Sequence, residues 1–320
     1  MSVAHRRILI TGATGCAGTH LSELALAHQA EVFGLAHSGM FTPGVSGQQI
    51  DLTDRAAVEA CVQASQPDWV FHLAAIIPGV EVPPERYITV NVTGTYYLLD
   101  ALRRFVPQAR ILIASSSAVY GRPVQAGQAI QEVAPMQPQS LYATTKAAQD
   151  LLAMQFFTEH DLHTVRGRTF NQTGPREPAN LVCATIARQV ARIEAGLQAP
   201  IVQTVTLLPR RDFTDVRDVV AGYWAALEHG AGGEAYNICS GHSTAIREVA
   251  EILLGLSTVR RIEIVESSPM PGPRAILDQV GDGSKLRACS GWQPRVALEQ
   301  SLRDLLDEWR ARVRSESSSV

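Results

Sequence analysis

The chain has few charged residues for its length and no excess of one sign. Of its 320 residues, 18% are charged, and the formal net charge is −3. Nucleic-acid-binding surfaces carry a basic excess that neutralises phosphates, and this composition offers none. The sequence therefore predicts no nucleic-acid partner.

Cysteine is also scarce, and its spacing is irregular. The five cysteines are odd in number and never form a CxxC pair: Cys16, Cys61, Cys183, Cys239 and Cys289. This spacing argues against a disulfide framework and a zinc site and favours buried free thiols. His160 and His163 have no partners at metal-ligand spacing, so no metal is predicted. His72, in the apolar "FHLAA", is predicted to be a packed core histidine.

Long apolar runs are missing as well. No uncharged apolar stretch reaches the about 18 residues that a membrane span needs. The N-terminal "MSVAHRRILITG" has no leader with a long apolar core. We therefore expect a soluble, cytoplasmic protein without a membrane partner.

Short β-rich runs alternate with helical segments through the first half of the chain. The runs cover about 6–12, 31–36, 48–53, 68–75, 109–117 and 164–171. Strands that alternate with helices predict an α/β fold with a doubly wound parallel sheet of the Rossmann type.

The regularity falls away after residue 170. We predict a dinucleotide-binding domain at 1–170, to which a segment near 205–245 returns, and a smaller α/β substrate domain at 171–320. The absence of a low-complexity linker indicates that the two parts pack directly together.

The sequence "ILITGATGCAG" places Gly12, Gly15 and Gly18 between the first strand and the first helix. Glycine permits a tight turn and lets the backbone approach a pyrophosphate at the helix N-terminus. This GxxGxxG spacing predicts a dinucleotide cofactor.

The end of the second strand is expected to distinguish NADP from NAD. NAD-binding sheets usually carry an acid there, which binds the ribose 2′-hydroxyl and repels a 2′-phosphate. This chain has Ala36, followed by His37 and Ser38, which can donate hydrogen bonds to a phosphate. We therefore expect NADP(H), with NAD possible.

Asp51 and Leu52 end the third predicted strand. The carboxylate of Asp51 could accept the adenine amino group, or it could cap the following helix, a position that Thr53 could also fill. The sequence leaves both interpretations open.

In "SLYATTKAAQD", Tyr142 and Lys146 are four residues apart on one predicted helix face, where a cation would lower the pKa of the phenol. A surface helix with a packed tyrosine and a solvated lysine is the simpler alternative. Ser116, in the serine run "IASSSAVYG", follows a strand expected near the sheet centre.

Taken in this order, GxxGxxG, the serine run before VYG and YxxxK resemble the extended short-chain dehydrogenase/reductase family over essentially the whole chain. The resemblance implies that Tyr142 is the acid/base, that Lys146 binds the nicotinamide ribose and tunes Tyr142, and that Ser116 binds the reacting oxygen. Asn91, in "VNVTGT", matches the central-helix asparagine of the family.

Within this family, "FNQTGP", "RRDFTDVRDVV", "YNICSG" and "GWQP" look like segments of GDP-4-keto-6-deoxy-mannose reductases. The resemblance implies that Asn91, Asn171 and Arg211 contact a nucleotide sugar. Arg188 is a further candidate, with a solvated helix face as the alternative. Arg274 follows the late proline-rich loop, slightly out of register.

One departure from the family pattern bears on the reaction. Family 4,6-dehydratases place an Asp–Glu pair directly after the catalytic hydroxyl residue, where this chain has Ser117 and Ala118. We therefore expect NADPH-dependent reduction of a C4 ketone. An NAD-dependent nucleotide-sugar 4-epimerase is the alternative, and a non-catalytic dinucleotide sensor is a weaker one.

Two predicted helices, at about 86–105 and 142–158, are apolar over more than one face. Such a helix tends to seek a further partner. By resemblance to related enzymes, we expect a homodimer formed through a four-helix bundle.

Overall fold

Strands and helices alternate along most of the chain. A computed structural model describes residues 5–122, 127–268, 270 and 275–317. The first half contains β1 (Arg7–Thr11), α1 (Cys16–Ala27), β2 (Glu31–Ala36), β3 (Ser46–Gln49), α2 (Arg55–Ser65), β4 (Trp69–His72), a π-helical segment (Tyr87–Thr93), α3 (Gly94–Phe105), β5 (Arg110–Ser116), a 3₁₀ turn (Ser117–Tyr120), α4 (Leu141–His160) and β6 (Thr164–Thr169).

The second half has shorter strands. It contains β7 (Asn171–Thr173), α5 (Val182–Glu194), β8 (Ile201–Thr204), β9 (Arg210–Asp215), α6 (Val216–His229), β10 (Ala235–Ile238), β11 (Ser243–Ala245), α7 (Ile246–Gly255), β12 (Glu263–Glu266), β13 (Asp278–Gln279), α8 (Ser284–Ser290) and α9 (Leu298–Ser317).

Seven parallel strands form the central sheet, in the order β10-β6-β5-β4-β1-β2-β3. Alternate residues of β1 face opposite sides: Ile8 and Ile10 belong to the core under α1 and α6, and Leu9 belongs to the core under α2 and α3. Both faces are therefore covered, which explains why the central strands are apolar throughout. The predicted doubly wound parallel α/β fold is confirmed.

The later part of the chain contributes both to the central sheet and to a separate apolar core. β10 pairs with β6 at the edge of the central sheet, and α6 packs against α1. A separate apolar core lies between α5, α7 and α9 and beside β8 and β12. Within the described residues, no helix is long and apolar enough to cross a membrane.

The third strand differs from its predicted bounds. It ends at Gln49, so Asp51 and Leu52 lie in the loop before α2 instead of closing the strand. The chain leaves the sheet here because the Asp51 carboxylate accepts hydrogen bonds from the backbone and hydroxyl of Thr53. Asp54, and neither Asp51 nor Thr53, caps α2 by accepting from the Ala57 N–H.

The prediction of buried thiols is correct for three cysteines and wrong for two. Cys61, Cys183 and Cys239 are buried, Cys16 is half-buried and Cys289 is exposed. Cys289 lies on the short helix α8, which buries only Leu286. The apolar stripe of so short a helix does not reach the cysteine.

Candidate active site

The glycine turn between β1 and α1 is held by close backbone packing. Gly12 has φ +72°, and a Cβ there would lie 2.9 Å from the Ala74 nitrogen. A Cβ on Gly18 would overlap the Gly12 oxygen. Gly15 precedes α1 and offers no capping side chain, so the first N–H groups of the helix stay available to an anion.

The loop after β2 is tied to this glycine turn. Ala36 ends β2 and is buried, whereas His37 and Ser38 are exposed. The Thr14 hydroxyl donates to the Ser38 carbonyl at 2.7 Å. The two predicted cofactor-binding segments are therefore neighbours.

Asp51 lies beside the same loop, and both of its carboxylate oxygens accept hydrogen bonds. Its Oδ2 accepts a hydrogen bond from Nη2 of Arg86 at 3.0 Å, and its Oδ1 accepts from Thr53. Burial would raise the pKa of Asp51, but the hydrogen bonds from Thr53 and Arg86 lower it to about 2. Leu52 packs in the core, so only its backbone can face a ligand.

Ser116 and Tyr142 meet at the carboxyl end of β5. Ser116 ends this strand, and its hydroxyl lies close enough to the Tyr142 phenol to lower the pKa of that phenol. Ser140 caps α4 by accepting from the Ala143 N–H, which fixes where the helix carrying Tyr142 begins. The structure thus brings together the serine and tyrosine that the sequence predicts as a catalytic pair.

The electrostatics of Tyr142 differ from the prediction. Burial raises the pKa of the phenol above its ordinary value, opposed by the hydrogen bond from Ser116. The predicted lowering of this pKa by Lys146 is wrong. The phenol is therefore protonated at neutral pH and available as a proton donor.

Lys146 explains this difference. Its Nζ is buried and donates a hydrogen bond to the Ala114 carbonyl of β5. Burial lowers the pKa of Lys146 to about 7, opposed by the charge of Asp150. At neutral pH the Lys146 amine is thus only partly protonated.

The turn after Ser116 is pinned by a residue from the far end of the chain. Gln279 of β13 donates from Nε2 to the carbonyls of Ser117 (3.0 Å) and Gly121 (3.2 Å). The Ser117 hydroxyl donates to Gln279 Oε1 at 3.2 Å. Ser117 is buried in this contact.

Asn91 is placed differently from its predicted substrate contact. It is fully buried in the π-helical segment, where its amide bonds the Ile76 N–H and carbonyl and donates to the Thr145 hydroxyl at 3.0 Å. The prediction needs correction because the side chain has no surface that could meet a ligand. Asn91 instead holds the loop after β4 against α4.

A cavity of about 700 Å³ lies beyond this loop, between β7, β8, β9 and the start of α5. Asn171 and Arg211 both line it, as does Asn180. The described lining residues include no carboxylate. Burial lowers the pKa of Arg211, opposed by Asp278. A half-buried guanidinium in such a cavity suits a phosphate group.

Contacts through the loop after β4 connect the cavity to Tyr142. The Tyr87 hydroxyl donates to the Ile77 carbonyl at 3.0 Å, and its ionised form would raise the pKa of Tyr142. One residue further, the Pro78 carbonyl accepts from Nδ2 of Asn180 at 2.9 Å. The loop after β4 therefore contacts Asn180, a residue of the cavity lining.

Arg188, one of the predicted substrate arginines, is not among the described residues that line this cavity. It is exposed on α5. Its predicted substrate contact stays a prediction, and its guanidinium lies over Trp309 of α9, 6.0 Å from the ring centroid. Arg274 lies outside the described residues.

Sequence reasoning missed three residues of this region: Arg86, Asn180 and Gln279. The only local signal was at Arg86, which follows Pro83 and Pro84 directly before a helix. Gln279 and Asn180 act on segments more than a hundred residues away, so nothing in their own neighbourhood could reveal them. His72, in contrast, is buried as predicted, and burial lowers its pKa to about 3.

Comparisons with known proteins agree over the whole chain. A model of the family described as GDP-mannose 4,6 dehydratase matches residues 9–305. GDP-6-deoxy-D-mannose reductase of Pseudomonas aeruginosa is 34% identical, covering 97% of this chain and 99% of that protein. GDP-mannose 4,6 dehydratase 2 of Arabidopsis thaliana is 28% identical, covering 94% and 86% respectively.

Solved structures show the same fold. The structure of RMD from Pseudomonas aeruginosa complexed with NADPH has a TM-score of 0.84 at 32% identity, covering 96% of this chain and 99% of that one. The UDP-glucose 4-epimerase of Thermus thermophilus in complex with NAD has a TM-score of 0.85 at 29% identity, covering 95% and 99%.

Proposed function

The chain belongs to the GDP-mannose 4,6 dehydratase family, whose members are NAD(P)-dependent enzymes of the extended short-chain dehydrogenase/reductase type, and we propose that it is a reductase. Its reaction is the NADPH-dependent reduction of the C4 ketone of a nucleotide-linked 4-keto-6-deoxy-hexose, with GDP-4-keto-6-deoxy-mannose as the substrate. The single observation that carries this proposal is the placement of Ser116, at the end of β5, beside Tyr142, with the buried Lys146 one turn further along α4.

The chemistry needs one hydride and one proton. Bound NADPH supplies the hydride to C4. Tyr142 gives its phenolic proton to the carbonyl oxygen as that oxygen becomes an alkoxide, and the Ser116 hydroxyl donates a hydrogen bond to the same oxygen. The phenolate left behind then takes a proton from solvent, which closes the cycle.

Lys146 is one turn after Tyr142 on α4, so its ammonium can stabilise the phenolate as it forms. Because burial places the pKa of Lys146 near 7, the group gains or loses a proton at little cost in the neutral range.

The cavity of Asn171 and Arg211 is the proposed site of the nucleotide diphosphate. Its volume of about 700 Å³ suits a nucleotide-sized ligand, and its lining combines one cation with amide and hydroxyl groups. The relative from Pseudomonas aeruginosa named GDP-6-deoxy-D-mannose reductase supports the choice of a GDP-linked sugar.

Dehydration is less consistent with the turn after Ser116. Elimination of water from the sugar needs acid and base groups at C5 and C6, and this turn presents Ser117 and Ala118. Ser117 is committed to Gln279. The nearest carboxylate on α4, Asp150, is buried between Arg166 and Arg168.

The 4-epimerase is the second candidate, supported by the likeness to a UDP-glucose 4-epimerase. Epimerisation begins by oxidation and so needs a phenolate base, whereas burial raises the pKa of Tyr142 and so disfavours the phenolate. Ala36 provides no acid at the end of β2, and Arg86 pairs with the nearby Asp51, which disfavours a tightly held NAD. Both observations favour the reductase, and retention of Ser116, Tyr142 and Lys146 disfavours a non-catalytic sensor.

The test is incubation of the purified protein with NADPH and 4-keto-6-deoxy sugars carried on GDP, dTDP, UDP and CDP. We expect loss of reduced-cofactor absorbance with the GDP-linked sugar. Retained NAD together with activity in the absence of added cofactor would establish the epimerase instead. No turnover of any of these sugars would overturn the reductase.

The protein is further proposed to form a homodimer through α3 and α4. Tyr96 of α3 and Leu151 and Met154 of α4 are 41%, 58% and 38% exposed. Large apolar side chains exposed together on adjacent helices favour burial against a second copy.

A further inference from the structure

Three side chains converge where β2 ends. Nδ1 of His37 lies 4.0 Å from Oδ2 of Asp51, and Nη2 of Arg86 lies 3.0 Å from the same oxygen. The side chains of His37, Asp51 and Arg86 are 76%, 32% and 39% exposed, so a ligand can reach all three. Arg86 is far along the chain from β2 and is brought here by the fold.

Asp51 creates a problem for a phosphorylated ribose at this place. Its pKa is held at about 2, so it is ionised at neutral pH. A carboxylate beside the end of β2, where the adenosine ribose is expected to bind, disfavours a 2′-phosphate, since like charges repel. Ala36 removes the usual acid from the end of β2, but Asp51 supplies another one next to His37.

Arg86 offsets this charge. One N–H of its guanidinium is committed to Asp51, and the group carries several further donors in a planar fork that matches phosphate oxygens. The backbone holds the residue in place, because its N–H donates to the Pro83 carbonyl at 2.9 Å. Glu81 and Glu85, the other charged residues of this segment, are exposed.

We propose that Arg86 determines the preference for NADPH by neutralising Asp51 and by binding the 2′-phosphate beside His37 and Ser38. The cation that usually follows β2 in NADP-binding sheets is thus supplied from the segment before α3. This inference rests on the proposed NADPH-dependent function. It assigns recognition of the 2′-phosphate to Arg86, which is distant in sequence from β2.

The test is calorimetric titration of the full chain with 2′,5′-ADP and with 5′-AMP, which differ only in the 2′-phosphate. The native protein should bind 2′,5′-ADP more tightly. Arg86→Ala should lose about ten-fold or more in affinity for 2′,5′-ADP, as expected for charge-assisted hydrogen bonds, while 5′-AMP binding changes little. Arg192→Ala is the matched control, because Arg192 forms a surface ion pair with Glu316 and is 38% exposed.

A second variant separates the two roles of Arg86. Arg86→Ala combined with Asp51→Asn should recover part of the preference for 2′,5′-ADP, because the bare carboxylate is gone. No recovery would overturn the neutralising role. Retained 5′-AMP binding shows that the variants are folded.

The remaining outcomes distinguish the inference from the proposed function. If the native protein prefers 2′,5′-ADP and Arg86→Ala keeps that preference, or loses both ligands equally, the role of Arg86 is wrong and the NADPH-dependent reductase stands. Equal native affinity for the two ligands would overturn both.

Discussion

Gln279 and Ser117 are joined by two hydrogen bonds across 162 positions of the chain. The Gln279 amide donates to the Ser117 carbonyl and accepts from the Ser117 hydroxyl. Gln279 also pairs in strand register with Arg211, which lines the cavity. One residue of β13 therefore connects the proposed diphosphate site with the turn that follows Ser116.

We expect Gln279→Ala to lower kcat by about ten-fold or more, because small misplacements of catalytic groups are costly. It leaves the buried carbonyls of Ser117 and Gly121 without their donor, which should also cost about 1–3 kcal/mol of stability. Steady-state kinetics and urea unfolding measure the two effects. Ser117→Ala, which keeps both carbonyl contacts, should retain most of kcat, and an equal loss in both variants would contradict this role of Gln279.

Tyr142→Phe should reduce turnover by about 10²–10⁴-fold, the usual contribution of general acid catalysis. Cofactor binding should stay close to native, because the ring is preserved. Single-turnover kinetics and NADPH fluorescence titration separate the two effects. Tyr96→Phe on the exposed face of α3 is the control. A Tyr142→Phe enzyme that kept most of its kcat would show that another group gives the proton.

The pH profile should report Lys146. Its lowered pKa of about 7 means that the ammonium is present below this pH and lost above it. We expect kcat/KM for NADPH, which reflects the free enzyme, to decline above about pH 7 as the phenolate loses its stabilising cation. In Lys146→Arg, whose guanidinium stays charged, that decline should disappear even if the rate is lower. An unchanged profile would assign the decline to a different group.

Glu177 should make the protein less stable as pH rises. It is buried with its Oε2 accepting from the Thr173 hydroxyl, and burial raises its pKa from 4.5 to about 8. Between these values the folded state holds a proton that the unfolded state has lost, so the free energy of unfolding falls with increasing pH.

Glu177→Gln should remove this dependence on pH. Above pH 8 its free energy of unfolding should exceed that of the native protein by up to about 4 kcal/mol, and near pH 4 the two should be nearly equal. Urea unfolding at several pH values measures the difference. Glu85→Gln at an exposed position provides the control. A gain independent of pH would mean that packing, and not ionisation, is responsible.

The dimer can be tested at Leu151, the most exposed of the apolar residues on α4 that the proposal names. Leu151→Glu places a charge in the proposed contact and should give a monomer by light scattering at micromolar concentration. Leu197→Glu, at another exposed leucine, should leave the mass unchanged. A native monomer, or a dimer unaffected by Leu151→Glu, would refute the pairing of these helices.

Much of the architecture could be predicted because its causes are local. Alternating apolar strands and helical segments determine a parallel sheet with two covered faces. Gly18 is required by contacts within its own turn, and Gly12 by its positive φ. The spacing of Tyr142 and Lys146 follows from helix geometry alone. For the same reason, the position of Ser116 at the end of β5 follows from the sequence, because an apolar run leads directly into the serines.

The tertiary structure decided how these groups are paired and ionised. It turned Lys146 toward the Ala114 carbonyl and left Tyr142 protonated, it buried Asn91, and it joined Asp51 to Arg86 and Ser117 to Gln279. Each of these contacts joins segments far apart in the chain, and all but the Asp51–Arg86 pair are buried. Local sequence specifies neither which distant segment will be adjacent nor how much water will be excluded there, and these two quantities set the charge and the hydrogen-bond partners of a side chain.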